Sequence, residues 1–404
     1  MAYAVPGYAD HIMAVNTQTK AVDTAHLYVG SAGHDQVNWS GGALIGDVLY
    51  AIPWDHSAVL VANVVARSHF FISASFVCPG GACYSGGAVG GNGKIYAAPF
   101  DVSTALVIDP ATDTAATLSL GAAGVGGDKY GSATTDNRGR VYFAPYAKPL
   151  VVVIDTLNDD AISLIPAPAT GSFSNLALGS DGNMYSAPYN AHYFMVLDTT
   201  TQTISEVVHG LPNDIVWGAT MAGADGRIYG VPFHGYTLLV YDPVTGTLNA
   251  DGLVPASGCT LGGISPDGVI FCNPSSIHAL LVIDTKNCFP DVETTTTASS
   301  EATTTSSTAD PLELEGFVLA YKGAVPENTD SPLRFGTAFD TSARLATYTN
   351  IPNADCASHC ISDDACEGIF VWHLNGSEKR CLLLSSLGQP IATGTVSYSF
   401  VLNG

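Results

Sequence analysis

Two series of aromatic residues recur along the chain at positions a ligand could use. Trp39, Tyr84, Tyr130, Phe173 and Trp217 each open a short run of small and apolar residues, and Trp54, Phe100, Tyr146, Tyr189 and Phe233 each directly follow a proline. Flat rings stack on sugar faces or clamp peptide side chains. Asp55, Asp101, Lys148 and Asn190 lie beside the second series as hydrogen-bond partners. Histidines gather in the same stretches: His11, His56, His192, His234 and His278. Their offsets from the aromatic vary, so they do not make the fixed ligand spacing of a metal site. Repeated rings also have a purely structural use, since a ring wedged between neighbouring elements buries a large area. A series of short polar residues, Asn16, Asn63, Asp109, Asp155, Asp198, Asp242 and Asp284, closes apolar runs before turns. That is a turn-capping position, where the side chain bonds the backbone ahead.

Other chemistries lack their residues. There is no Gly-x-Ser-x-Gly elbow, phosphate loop or His-Glu-x2-His helix. The glycine-rich stretches fall between apolar runs and open no helix, so they are not nucleotide loops. The sequence calls for no cofactor. With 36 acidic against 14 basic residues and a formal charge of −22, it also lacks the basic patches that nucleic acid requires. No apolar run is long enough for a membrane span.

The elements that position these residues follow from a repeat. An aromatic stands three residues before a proline seven times: Tyr3/Pro6, Tyr50/Pro53, Tyr96/Pro99, Tyr142/Pro145, Tyr185/Pro188, Tyr229/Pro232 and Phe271/Pro274. The capping residue follows each aromatic by 13 positions, and a turn residue precedes it by three, as Asp47, Gly93, Gly139, Gly182, Gly226 and Gly268. Successive aromatics are separated by 47, 46, 46, 43, 44 and 42 residues. Within one copy, "GGAVGGNGKIYAAPF" reads as two strands around an Asn-Gly turn with positive φ at both central residues. "TALVIDPATDT" is a third strand ending in an Asp-Pro turn, and a weaker fourth run follows. Alternating strand direction puts the start of a first strand and the end of a second strand on one face. Both aromatic series therefore meet at one end as the expected lining of a funnel.

In repeat length, in its Gly-Gly start and in its "LVID" strand the repeat resembles the kelch and YVTN-type propeller families. The resemblance implies an all-β fold: a β-propeller of about seven four-stranded antiparallel blades spanning 1–288. No kelch Arg or WD dipeptide recurs, so no functional residue is carried over. The first copy starts at its second strand and the last ends after its third, which implies an imperfectly closed ring. A truncated N-terminus would explain both this and the missing signal peptide.

Residues 289–311 include "ETTTTASSEATTTSSTAD", a stretch with nothing to bury and the composition of an O-glycosylated stalk. Beyond it, in 312–404, Cys356 and Cys360 sit four apart on one face of an expected helix, Cys366 opens an apolar strand and Cys381 lies in the next. Four cysteines permit three pairings. Zinc is the competing use, but there is no Cys-x2-Cys knuckle. The pattern resembles the PAN/Apple module, which implies a small α+β domain, the pairs Cys356–Cys381 and Cys360–Cys366, and binding of protein or carbohydrate. Cys78 and Cys83 flank a flexible "PGGA" loop suited to a disulfide, while Cys259, Cys272 and Cys288 leave one thiol over. Sequons at Asn38 and Asn375 are glycosylation candidates.

Together these features point to a secreted or cell-surface binding or adhesion protein. Its expected partners are carbohydrate or extracellular protein, reached through the propeller face and the C-terminal module. The alternative is a propeller enzyme of lactonase, lyase or glycosidase type acting on extracellular carbohydrate. That would need a non-repeating cluster of carboxylates or histidines on the axis.

Overall fold

The computed structural model describes residues 1–284, apart from 31–36, 74–77, 79–80, 170, 211–215, 236, 254–257, 260–261, 266–267 and 273–278. Beyond these it describes the strands Ile369–Leu374, Glu378–Ser386 and Tyr398–Leu402. Strands dominate; the one helical element among the described residues is a short 3-10 turn at Gly121–Gly124.

The strands form seven antiparallel sheets. The second sheet is the pattern for the rest: Trp39–Ile45, Val48–Pro53, Ala58–Asn63 and Ser68–Ser73 pair in chain order. The third to sixth sheets repeat it from first strands at Tyr84–Val89, Tyr130–Thr135, Ala177–Leu178 and Val216–Ala222. A proline closes the second strand at Pro53, Pro99 and Pro145, where the missing N–H costs no ladder bond.

Hairpins between first and second strands share one construction. Gly90 N–H bonds Lys94 O while Gly93 N–H bonds back to Gly90 O, and the same pair recurs at Asp136/Arg140, Gly179/Asn183, Gly223/Arg227 and Ser265/Val269. Among the described loop residues the turn glycine alone takes positive φ: +79° at Gly93, +78° at Gly139, +84° at Gly182 and +82° at Gly226; Gly268 also has +82°. The expected turn with two positive-φ residues is therefore corrected. These are three-residue loops, a type I turn followed by one left-handed residue, so the residue before the glycine is free to be Asn or Asp.

Packing follows from period-two alternation in strands covered on both sides. In the second strand of the second sheet, Tyr50 and Ile52 pack with Tyr84, Ile95, Ala97 and Leu106 of the third sheet. Leu49 and Ala51 turn the other way, onto Val5, Ile12 and Ala14 of the first. Further clusters join the third sheet to the fourth, the fourth to the fifth and the fifth to the sixth. Another joins Ala2, Ala4, Met13 and Val15 of the first sheet to Val269, Phe271 and Val282 of the seventh. Fourth strands bury far less: Ser68–Ser73 and Ala161–Pro166 each bury a single side chain, Ile72 and Ile165.

First strands approach one another by backbone. A Cβ on Gly41 (φ +70°) would lie 2.9 Å from Gly86 Cα, and one on Gly86 (φ +63°) 2.4 Å from Ser132 Oγ. The register shifts in the first strands at Trp39/Gly42, Ser85/Gly87, Tyr130/Ala133 and Trp217/Ala219 are β-bulges that bend each strand toward its neighbour. Ser85 Oγ donates to Gly131 O at 2.5 Å and Ser174 Oγ to Gly218 O at 2.7 Å, stitching one sheet to the next.

The two strands absent from the repeat come from the C-terminal segment. Tyr398–Leu402 pairs with Ala2–Pro6 as the first strand of the first sheet, with Tyr3 opposite Val401 and Val5 opposite Ser399. Glu378–Ser386 pairs with Ala279–Asp284 as the fourth strand of the seventh sheet, and Ile369–Leu374 adds a fifth. First strands are then neighbours in sequence around the sheets, and Tyr398–Leu402 touches both Trp39–Ile45 and Gly262–Ile264. Cys356, Cys360, Cys366, Asn375 and the 289–311 stretch lie outside the described residues; Cys381 is in the fourth strand of the seventh sheet.

Removing residues 398–404 strips a whole strand from the first sheet and exposes the ladder face of Ala2–Pro6. The shortened chain is expected to unfold several degrees below the full chain, given that about 1 kcal/mol moves the midpoint by roughly 2–4 °C at domain sizes of 150–250 residues. Scanning calorimetry of the two chains measures it; an unchanged midpoint contradicts the pairing.

Candidate functional site: a crescent of aromatic rings

A backbone belt at one end of the sheets sets the site. In the first six sheets the hairpin between second and third strands hydrogen-bonds the lead-in of the next sheet's first strand. Asn38 N–H donates to Gly7 O, Cys83 N–H to Trp54 O, Lys129 N–H to Phe100 O, Phe173 N–H to Pro145 O, Trp217 N–H to Pro188 O and Gly258 N–H to Phe233 O. The residue after the proline is held in turn by its own N–H, which donates from Trp54 to Asn38 O, from Phe100 to Cys83 O, from Tyr146 to Lys129 O and from Tyr189 to Ser172 O.

The side chains at that position touch in series. Trp54 and Phe100 have ring centroids 4.7 Å apart, Phe100 and Tyr146 5.5 Å, Tyr146 and Tyr189 5.4 Å, Tyr189 and Phe233 5.7 Å. The planes are inclined by 32° to 48°, the tilted geometry that ring quadrupoles favour. All five rings are half-buried, so each keeps part of its surface open. In the first sheet the position after the proline is Gly7. Five consecutive sheets thus present a continuous crescent.

The other aromatic series does not join it. Trp39, Tyr84, Tyr130 and Trp217 are at most 2% exposed, and Phe173 is buried with them. The expectation that they line a funnel is corrected: they are wedges between sheets. Trp39 Nε1 donates to Ala58 O at 3.0 Å and Tyr130 Oη to Ala123 O at 3.0 Å, so the polar tips of these two are satisfied inside, whereas the buried Tyr84 hydroxyl is not. His56 also leaves the ligand set. Its ring packs 4.5 Å from Trp39 and 5.5 Å from Phe71, and Nδ1 accepts from Ala58 N–H at 3.1 Å. His192 and His234 are exposed, and the His234 ring lies 4.5 Å from Phe233 at the far end of the crescent. Asn38 is 5% exposed with its amide donating to Gly7 O at 3.2 Å, so this sequon is not a glycan acceptor in the folded chain.

Charged groups surround the crescent. Asp55 Oδ2 accepts from Val37 N–H at 3.1 Å and Asp101 Oδ1 from Asp128 N–H at 2.9 Å. Partial burial raises the Asp55 pKa, opposed by the Val37 bond. Lys129 is wholly buried beneath the belt, its Nζ donating to Phe100 O at 2.7 Å and Gly126 O at 2.5 Å. Burial lowers its pKa, Asp101 and Asp128 oppose that, and Lys148 adds to it. Burial, with the adjoining Tyr189, pushes Tyr146 up to about 12. Among the described residues no cluster of three or more His, Cys, Asp or Glu could hold a metal ion.

The capping series behaves as its position implies. Asp198 Oδ1 accepts from Thr200 and Thr201 N–H at 2.7 and 2.9 Å, and Asn16, Asn63, Asp109, Asp155 and Asp242 make the corresponding turn bonds. What the sequence did not reveal is a set of Tyr–Asp anchors. The first aromatic of the repeat is buried and donates its hydroxyl to a carboxylate: Tyr50 to Asp113, Tyr96 to Asp160, Tyr142 to Asp136, Tyr185 to Asp181 and Tyr229 to Asp225. For Tyr185 and Tyr229 the signal was present as an Asp four residues before the tyrosine; for Tyr50 and Tyr96 the partner comes from the following sheet. The Cys78–Cys83 disulfide forms as expected, and Cys259 bonds Cys272.

No family model and no curated protein matches the chain. Solved structures do match in fold. Virginiamycin B lyase from Staphylococcus aureus superposes with a TM-score of 0.52 at 12% identity, covering 61% of this chain and 80% of that one. The extracellular domain of a one-component system from B. thetaiotaomicron gives 0.53 at 11% identity over 72% of this chain and 39% of its own. A protein from Lactobacillus plantarum gives 0.56 at 16% identity over 70% and 91%. The fold is of the β-propeller type.

The two tryptophan classes separate in stability. Trp217→Ala empties a fully buried site and is expected to cost about 3–5 kcal/mol, whereas Trp54→Ala at a half-open position costs distinctly less. Urea unfolding of both variants measures the difference, and equal losses would refute the assignment of wedge and crescent. The buried tyrosines set a second expectation. Tyr50, Tyr130 and Tyr193, raised from 10.0 to about 12 mainly by burial, hold their protons in the fold after the unfolded chain has released them. Stability is full below pH 10 and falls as pH climbs from 10 to about 12. Thermal midpoints across that window, read against Tyr50→Phe, check the sign.

Proposed function

We propose that this is an extracellular binding protein whose ligand, carbohydrate or protein, is held on the aromatic crescent. The observation that carries the reading is the uninterrupted contact from Trp54 to Phe233. Rings that served only to wedge sheets would be buried like Trp39 and Trp217; these five are aligned by the backbone belt and left half-open. The belt makes the platform rigid, which lowers the ordering cost of binding.

In this reading the seven sheets are the blades of a closed seven-bladed propeller. Two observations support closure: the packing of Val269 and Phe271 with Ala2 and Ala4, and the contact of Tyr398–Leu402 with first strands on both sides. The 289–311 stretch is an extended, glycosylated connection. Segment 312–404 is a cysteine-bearing module of PAN/Apple type, tied to the ring by its strands and offering a second contact for partners. Secretion is supported by the two disulfides and by the fold likeness to an extracellular domain. Asn375 remains the glycan acceptor of this reading. The likeness to a lyase is one of fold alone.

The test is a glycan and extracellular-protein array probed with the intact chain, Trp54→Ala and Tyr189→Ala. Wild-type binding reduced about fivefold or more in both variants is expected, since a stacked ring contributes on the order of 1 kcal/mol. Binding unchanged in both variants would remove the crescent as the site.

A further inference from the structure

We propose that the crescent recognises an organic cation, a quaternary or protonated amine carried by the ligand. This rests on the crescent being the binding face and adds the chemistry of what it takes. Three independent features converge on it.

The first is the set of π faces. Five contiguous half-open rings set π faces in series along one rim, and a weakly hydrated ammonium is a group such faces attract. The second is the local charge. The hairpins and lead-ins along the crescent carry Asp55, Asp101 and Asp128, while Asp10 in the first sheet is paired with His11 at 2.5 Å. Against them stand two lysines, and the Lys129 ammonium is buried against the Phe100 and Gly126 carbonyls, out of a ligand's reach. Lys148 is the one half-exposed lysine there. Asp55 and Asp101 each commit one carboxylate oxygen to a backbone N–H, which fixes the group in place and leaves the charge at the rim. The third is the whole-chain charge of −22, whose field draws cations toward the mouth and repels anions. A phosphorylated or carboxylated ligand meets opposition from both local and global charge. A neutral sugar uses the rings and gains nothing from the carboxylates.

The test uses the intact chain and a matched pair of probes, choline and 3,3-dimethyl-1-butanol, which share shape and differ in charge. Ligand-observed NMR titrations at low and at high salt give both affinities. Choline is expected to bind at least about fivefold more tightly than its neutral isostere, and to weaken as salt screens the carboxylates. Phe100→Leu keeps apolar volume but removes a π face, and Asp101→Asn keeps shape but removes a charge. Each is expected to reduce the preference severalfold, with unchanged thermal midpoints confirming the fold. Equal affinity for the two probes, no choline binding, or a preference untouched by both substitutions overturns the proposal. Array binding that is lost in Trp54→Ala while choline and its isostere bind equally overturns only the cation and leaves the crescent standing. Array binding unaffected by Trp54→Ala and Tyr189→Ala removes the crescent itself.

Discussion

Two-sided burial of the middle strands is the constraint on which the molecule depends. A strand such as Val48–Pro53 turns Leu49 and Ala51 to one neighbouring sheet and Tyr50 and Ile52 to the other, so no sheet is stable with a bare face. Each sheet needs a sheet on either side. The same demand at the two ends of the series is met by packing the seventh sheet on the first. It also makes the C-terminal strands structural, because the first sheet lacks a first strand until Tyr398–Leu402 supplies one.

The proposed binding face sits where that constraint relaxes. Aromatics at the start of first strands lie deep between sheets and serve packing, and Trp39 and Tyr130 have their polar tips satisfied by backbone carbonyls. Aromatics one position beyond the second-strand proline lie at or just past the end of the strand, beyond the fully buried layer. The belt from Gly7 through Phe233 holds them without enclosing them. Buried Lys129 reinforces the belt from beneath by bonding the Phe100 carbonyl. The opposite end is occupied by Tyr–Asp anchors and by Arg140, which pairs with Asp136 and reaches Thr199 O in the next sheet. That end is cross-linked to itself.

Much was legible in the sequence because the repeat is a physical statement. An invariant offset from aromatic to proline to capping residue reports strand lengths and turn positions, and those fixed the four-stranded sheets, the turn glycines, the capping role of the Asp series and the Cys78–Cys83 bridge. The second aromatic series was legible for the same reason, as the residue after each proline. Sequence could not separate it from the first series, because burial is decided by the neighbouring sheet and not by the residue's own strand. Nor could it exclude the Asn38 sequon, whose amide is taken up by Gly7, thirty-one residues away.

The sequence alone therefore determined the unit: how long each strand is, where it turns, and which side chains share a face. Tertiary structure decided the relations between units: which rings touch, which carboxylate meets which tyrosine, and which distant strands complete the end sheets. The physical reason is that period-two patterning is local, whereas contact across sheets joins residues about forty-five positions apart, and pairing of the two termini joins residues nearly four hundred apart.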